Sequence, residues 1–535
     1  MAVVSVKQVN DFTGGLNYRA DQFQLANNES PKMLNVEIDP RGGVFSRGGQ
    51  RSLNATAITG TWAPRSLYDF AGTTSTIMLS TATKIQRATS GTFSLLKTDV
   101  STDVAVTDTN GASFATWNDT LYAALGNGSS SISWKTTDTY ATILSPSGTA
   151  PDAWQATAVT AGKFPKANIA VVHANKMWVA NTNEGGTAHP NRIRYSFENA
   201  PTDWDEDSFI DIHVGGVGIM GLVVVAGQLL VVKPNAVYAI YGYDAATFRV
   251  VKVAEGVGAP SKRAVVGAEN AAYFFDSSEG LFVYDGSSVT NLWANLRPLH
   301  ENGFINETDS TSTSVSYINR RIWISIPHSD SGVAATTPTV NYVFDPQLGG
   351  VFVAHKTSDS KGLVSGCNWT DGTGMAHHLM CHPSQAYVMD VDMFDEAYDN
   401  ISGADATFPS TYRTKWFDAG SYTNNKMFRR PDFVLKEASQ SQTIVCDVYH
   451  NFDESVGNQR RSFNLTQSAP TSGGVWGTGL WGTAVWGGGA VSSKRVTGNN
   501  LGLARTVQLE FTGPTGQHWG LNSIGYKFQQ RRVKG

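Results

Sequence analysis

Five residues, Cys367, His377, His378, Cys381 and His382, form the best candidate for metal chemistry in this chain. Zinc takes four nitrogen or sulfur ligands that converge on a tetrahedron. His377 and His378 fall in a stretch that reads as a strand, where neighbouring side chains point to opposite faces. The expectation is therefore solvated histidines beside small buried thiols, with no metal and no cofactor. The acidic run Asp390, Asp392, Asp395, Glu396 and Asp399 offers oxygen ligands, but it lacks the glycine and the spacing of a calcium loop. Asp203, Asp205, Glu206, Asp207 and Asp211 make a similar acidic stretch around Trp204. Both read as solvated faces. A glycosidase needs two carboxylates at a working separation, and no motif sets such a pair. Phosphate-binding glycine loops, a G-x-S-x-G elbow and an H-E-x-x-H helix are all missing from the sequence. The segment 276–282 is only a faint echo of the Asp-box of sialidase-type propellers.

Two further features point to contact rather than catalysis. An apolar-Trp-Gly triplet recurs every five residues at Trp476, Trp481 and Trp486. Five matches neither the helical period of 3.6 nor the strand period of 2. A glycine-hinged ribbon results, with rings that pack within the C-terminal part or anchor into a neighbouring subunit, where Trp is a preferred hot spot. The basic doublets Arg429-Arg430, Arg460-Arg461, Lys494-Arg495 and Arg531-Arg532 suit phosphates or the rim of a protein interface.

The elements that must carry these residues are β-strands. Of 535 residues, 53 are Gly and only 16% are charged, while 41% are hydrophobic. That balance favours short strands joined by tight turns around sizeable cores. A polar turn followed by a large apolar run recurs. Its markers are Tyr68, Tyr122, Trp178, Leu230, Tyr273, Trp323 and Met380, at intervals of 54, 56, 52, 43, 50 and 57 residues. A period of roughly 50 with strands alone inside it predicts propeller blades of four strands. The fold expected is mainly β: an irregular six- or seven-bladed β-propeller with an additional antiparallel β domain. Residues 1–55 read as a turn-rich docking segment, 56–400 as the propeller, and 401–535 as the β domain carrying the Trp-Gly ribbon.

Residues 214–232 carry no charge and are long enough to span a bilayer. They read better as a hairpin, with strands 222–226 and 229–232 around a turn at Gly227-Gln228. Three cysteines in so long a chain make no disulfide framework. The start, Met1-Ala2-Val3-Val4-Ser5-Val6-Lys7, lacks the pattern of a signal peptide, so cytoplasmic synthesis with reduced thiols is expected. Net charge is −4 overall, yet residues 411–535 hold fifteen Lys/Arg against seven Asp/Glu.

The N-terminal stretch carries a resemblance. Residues 11–17 (DFTGGLN), 29–36 (ESPKMLNV) and 40–44 (PRGGV) are similar to the opening of tail nozzle proteins of short-tailed bacteriophages, the tail tubular protein B family. The blade at 273–286, the Trp-Gly ribbon and the closing stretch 505–532 also resemble such virion proteins. The resemblance implies a non-enzymatic structural protein of the virion tail. Six copies would form a ring below an adaptor protein, conduct the genome during ejection, and give tail fibres or spikes a docking platform. Transient, non-specific contact with DNA follows from that role. The alternative is a propeller-type glycan hydrolase or depolymerase of a phage tail.

Overall fold

The computed structural model describes residues 4–144, 164–307, 312–329, 335–393, 396–436, 441–453, 455, 457–467 and 494–530. Six runs of sequence each fold into a four-stranded antiparallel sheet, at 64–95, 113–143, 166–211, 221–255, 265–291 and 314–355. A seventh sheet takes three strands from 364–393 and its fourth, Gly49–Ser52, from ahead of the first blade. In that composite blade Ser52 lies opposite Met389, and Arg51 opposite Asp390. The innermost strands pack in cyclic order, and Val364–Thr370 of the seventh blade packs against Pro64–Ala71 of the first. The result is a closed β-propeller of six contiguous blades and one composite blade. Its ring is fastened by hydrogen bonds between the two ends of the propeller sequence.

The second strand of each blade is enclosed on both faces by neighbouring blades. Arg321–Ile326 is buried at every position, and Ser75–Thr81 at all but the first. A strand with no solvent face reads as a continuous apolar run, which is why the repeat shows as clusters rather than alternation. Six of the seven sequence markers sit on these second strands. Tyr68 does not: it lies on the innermost strand of the first blade and pairs with Met78, which holds the equivalent position.

Inner hairpins close through two-residue turns with both central residues at positive φ. They are Ala174-Asn175 (49° and 55°), Ala226-Gly227 (48° and 78°), Glu269-Asn270 (49° and 63°) and Asn319-Arg320 (48° and 60°). This is the I′ geometry, whose twist matches that of the flanking strands. The turn expected at Gly227-Gln228 is therefore displaced by one residue, and Gln228 pairs with Val225. No helix among the described residues is long and apolar enough to cross a membrane.

The additional β domain is a two-sheet sandwich. One sheet extends the sixth blade outward, from Val351–His355 through Lys32–Leu34, Thr411–Arg413, Val507–Thr512 and Gln442–His450 to Arg461–Gln467. The other is organised around Gly520–Gln530, which pairs with Ser5–Val9, Lys426–Phe428, Asp432–Leu435 and Val44–Ser46. Aromatic rings fill the space between, with Phe417 4.4 Å from Tyr526, Phe433 5.7 Å from Phe511, and Phe12 5.3 Å from Tyr412. The N-terminal segment thus supplies strands to the propeller and to both sheets of the sandwich. Leu34 alone pairs with Ala354 of the sixth blade on one side and Thr411 on the other.

A buried ionic cluster holds this junction. Arg47 forms a bidentate pair with Asp399 at 2.7 and 2.9 Å and donates to Asn35 and to the carbonyls of Gly48 and Lys356. Its guanidinium also stacks on Phe408. Nearby, Arg321 bridges Glu37 at 2.8 Å and Asp392 at 2.5 Å. His355 lies fully buried among these groups, with Nε2 3.3 Å from the Val36 carbonyl and 3.9 Å from Glu37.

Burial, followed by the charges of Arg47 and Arg321, pushes the His355 imidazole down to about 3, against a partial counter-pull from Asp392. Its folded value lies below its unfolded one. The stability it contributes is therefore complete above pH ~6.5 and is lost as pH falls towards 3, because only the unfolded chain then takes up the proton. By linkage the loss is on the order of 4 kcal/mol across that window. Melting midpoints measured from pH 7.5 to 4 should fall steeply for the natural protein and less steeply for His355→Gln. Parallel curves would contradict this assignment.

Candidate functional site

The innermost strands of all seven blades enclose an axial cavity of about 570 Å³. Most of its wall is small or apolar, including Leu67, Val171, Leu222, Val223, Val265 and Val315. Polarity concentrates where the innermost strands begin. Arg65 opens the first blade, and the turn Lys262–Ala264 leads into Val265–Ala268 of the fifth.

Lys262 reaches to the opposite side of the ring. Its Nζ pairs with Asp108 at 2.7 Å and donates to the carbonyls of Asn168, at 2.9 Å, and Gly111. Burial lowers the pKa of the ammonium, and Asp108 opposes that shift only in part. This crossing ties the fifth blade to the second and third and obstructs one mouth of the cavity. Arg263, the next residue, is only 8% exposed and lines the cavity. Burial first, and the like charge of Arg65 second, push it down to about 9. Arg65 donates from Nε to the Thr109 carbonyl at 2.8 Å.

Among the described residues lining the cavity, Glu269 is the single carboxylate, and it accepts a hydrogen bond from the Tyr317 hydroxyl at 2.5 Å. A glycosidase site needs two acids about 5–10 Å apart. The cavity has the volume of a small-ligand pocket. A double helix does not fit within it, least of all past Lys262.

A second concavity, of about 790 Å³, lies between the N-terminal segment and the sandwich. Phe23 is its centre, 5.6 Å from Tyr422 and 5.7 Å from Phe452, and Trp416 packs 5.2 Å from Phe452. Tyr422 and Phe452 are 57% and 47% exposed, an unusual concentration of surface aromatics.

The residues singled out in the sequence are dispersed. His377 pairs with Asp390 at 2.6 Å and stacks on Trp369, while His378 meets Asn368 and His382 meets Asp359. Cys367 and Cys381 are free thiols raised by burial. No group of three or more potential metal ligands occurs among the described residues. In the acidic runs, Asp392 pairs with Arg321, Asp399 with Arg47, Glu396 with Arg51 and Asp211 with Arg192, so ion pairing takes up much of what read as solvated. Asp395 lies outside the described residues.

Arg429 is exposed and donates to Gln529, and Arg430 shares a shallow groove of about 340 Å³ with Arg461, Asn499 and Asn500. Beside them Arg495 and Lys527 converge on Asp432. Trp476, Trp481, Trp486, Arg531 and Arg532 lie outside the described residues. The cavity cations Arg65, Lys262 and Arg263 were missed by sequence reasoning. Their signal is a basic residue at or just ahead of the start of an innermost strand, in 64–68 (PRSLY) and 262–266 (KRAVV), whereas the repeat shows through the second strands.

No known protein family and no curated protein matches the sequence. Among solved structures, the chain is similar to the extracellular domain of a one component system from B. thetaiotaomicron, with TM-score 0.40 and 12% identity over 82% of this chain. It spans 58% of that protein's length. YCF48 bound to D1 peptide overlaps at TM-score 0.35 and 7% identity, over 67% of this chain and 97% of that one. An ancestral GH74 enzyme overlaps at TM-score 0.39 and 8% identity, over 65% of this chain and 49% of that one. Overlaps this loose bear on neither activity nor partners.

Proposed function

We propose that the chain is a structural subunit of a phage tail nozzle, one of six around an axial lumen through which the genome leaves. The observation that carries this reading is the position of the residues that bear the resemblance. Phe12, Leu16, Met33, Val36 and Val44 are buried in the common core, and the strand 32–34 joins propeller to sandwich. The motif is thus the weld that makes one body of two β units, as a ring subunit under load requires. The genome path lies between copies, because the propeller's own axis is narrow and crossed by Lys262. The aromatic groove around Phe23 supplies a docking face for an adaptor or fibre. The basic groove at Arg430 and Arg461 supplies sparse contacts for subunits or DNA. The hydrolase alternative is disfavoured by the single lining carboxylate.

Size is the first test. The purified protein, alone or with an adaptor, should form a species of six 57.6-kDa chains. A strict monomer under both conditions would defeat the reading.

A sliding conduit also constrains DNA affinity. Duplex DNA presents one negative charge per ~1.7 Å of axis, so a wall dense in Lys and Arg would grip it. Six copies at −4 each carry a formal −24. Duplex binding by fluorescence anisotropy should be non-specific, at a Kd of about 10⁻⁵ M or weaker near physiological salt, and should fall further as salt rises. Tight binding there would point to a DNA clamp instead.

A further inference from the structure

We infer that the basic mouth of the propeller cavity is a binding site for a small, multiply charged oxyanion of the phosphate or sulfate type, held between Arg263 and Arg65. Arg263 is more than nine-tenths buried and faces the cavity, and its Nε meets no acceptor. Neither arginine has a carboxylate partner among the described residues. Asp108, which Lys262 meets at that mouth, is taken by its ammonium at 2.7 Å. Glu269 follows the far end of the innermost strand Val265–Ala268, whose four residues span roughly 13 Å at ~3.3 Å per residue.

Two guanidinium groups therefore share a low-dielectric mouth with no anion to balance them. Burial, followed by the like charge of Arg65, depresses the Arg263 guanidinium, and burial lowers Arg65 as well. Buried ions are ordinarily paired, because desolvating a lone charge is costly. Ser261 Oγ, on the turn that carries Arg263, is likewise buried without a hydrogen-bond partner. Arginine forks bind tetrahedral oxyanions through paired N–H groups, and two forks favour a dianion over a monoanion. The cavity below has the volume of a small-molecule pocket, so the ligand is a free anion or a compact molecule bearing one. A nucleic-acid backbone is too large, because Lys262 crosses the mouth. This site is independent of the nozzle reading and holds whether the chain is a ring subunit or a monomer.

The experiment uses the full chain. Calorimetric titration with inorganic phosphate, sulfate and acetate is run at constant ionic strength, beside thermal melts in the same buffers. Phosphate and sulfate should bind saturably at about one per chain and raise the melting midpoint, while acetate should bind at least ten-fold more weakly. Arg263→Gln should weaken phosphate at least ten-fold and abolish its effect on the melt. In anion-free buffer that variant should melt no lower than the natural protein, because a lone buried charge has been removed. Arg65→Gln gives a second, less buried substitution and should also weaken binding, whereas Arg430→Gln on the sandwich surface should not. Absence of saturable phosphate binding, or binding unchanged in both cavity variants, would overturn the proposal. So would a short single-stranded oligonucleotide that displaces phosphate as well as sulfate does, since the site would then be a nucleic-acid contact.

Discussion

A chain beginning at residue 56 should fail to fold into the native propeller. It loses the closing strand Gly49–Ser52 of the seventh blade and the strand Lys32–Leu34 between blade and sandwich. It also loses two strands paired to Gly520–Gln530. Phe12, Leu16, Leu25, Met33, Val36 and Val44 are all essentially buried. Burial of each such side chain is worth ~1.5–3 kcal/mol, so together they reach the ~5–15 kcal/mol of a typical net stability. Near-ultraviolet circular dichroism and limited proteolysis of the shortened chain should show lost tertiary packing and early cleavage. A cooperative melt within a few degrees of the full chain would contradict the closure argument.

The largest single-residue effect is expected at Arg47. Its guanidinium is 1% exposed and its partner Asp399 is fully buried. Arg47→Ala leaves that carboxylate desolvated and unpaired, which ordinarily costs ~3–5 kcal/mol. Arg47→Lys should recover little, because a single ammonium cannot reproduce the bidentate fork together with the bonds to Asn35, Gly48 and Lys356. Arg47→Met with Asp399→Leu should be milder than Arg47→Ala alone, since no buried charge is then orphaned. Chemical denaturation of these variants, together with Arg47→Met and Asp399→Leu singly, measures this order. A double variant as unstable as the sum of its parts would mean that the two side chains do not act as a pair.

These two effects also mark where the sequence was silent. The blades were legible because each second strand is enclosed on both faces, which leaves runs such as Ile322-Trp323-Ile324 at a regular spacing. The sandwich was legible where one face meets water: Gln442–His450 alternates buried and half-buried positions along most of its length. Gly49–Ser52 has no such pattern. Its four residues gain a strand conformation from partners some 340 to 350 positions away, Met389, Asp390 and Met393 on one edge and Asp399 and Asn400 on the other, so local sequence held no trace of the closure. Tyr68 misled because an aromatic on an inner strand has the same local appearance as one on a second strand. The cavity mouth was hidden for a related reason. Arg65, Lys262 and Arg263 meet only when the ring closes, and in the linear chain each is an unremarkable cation beside an apolar run.

Electron cryomicroscopy of the parent particle tests the central claim most directly. The account predicts this seven-bladed propeller and its sandwich repeated six times about the tail axis. The lumen should lie between copies, with no continuous Lys/Arg lining, and each propeller's own cavity should stand off that axis. Absence of the chain from the tail, or DNA density running through the propeller's own axis, would contradict it.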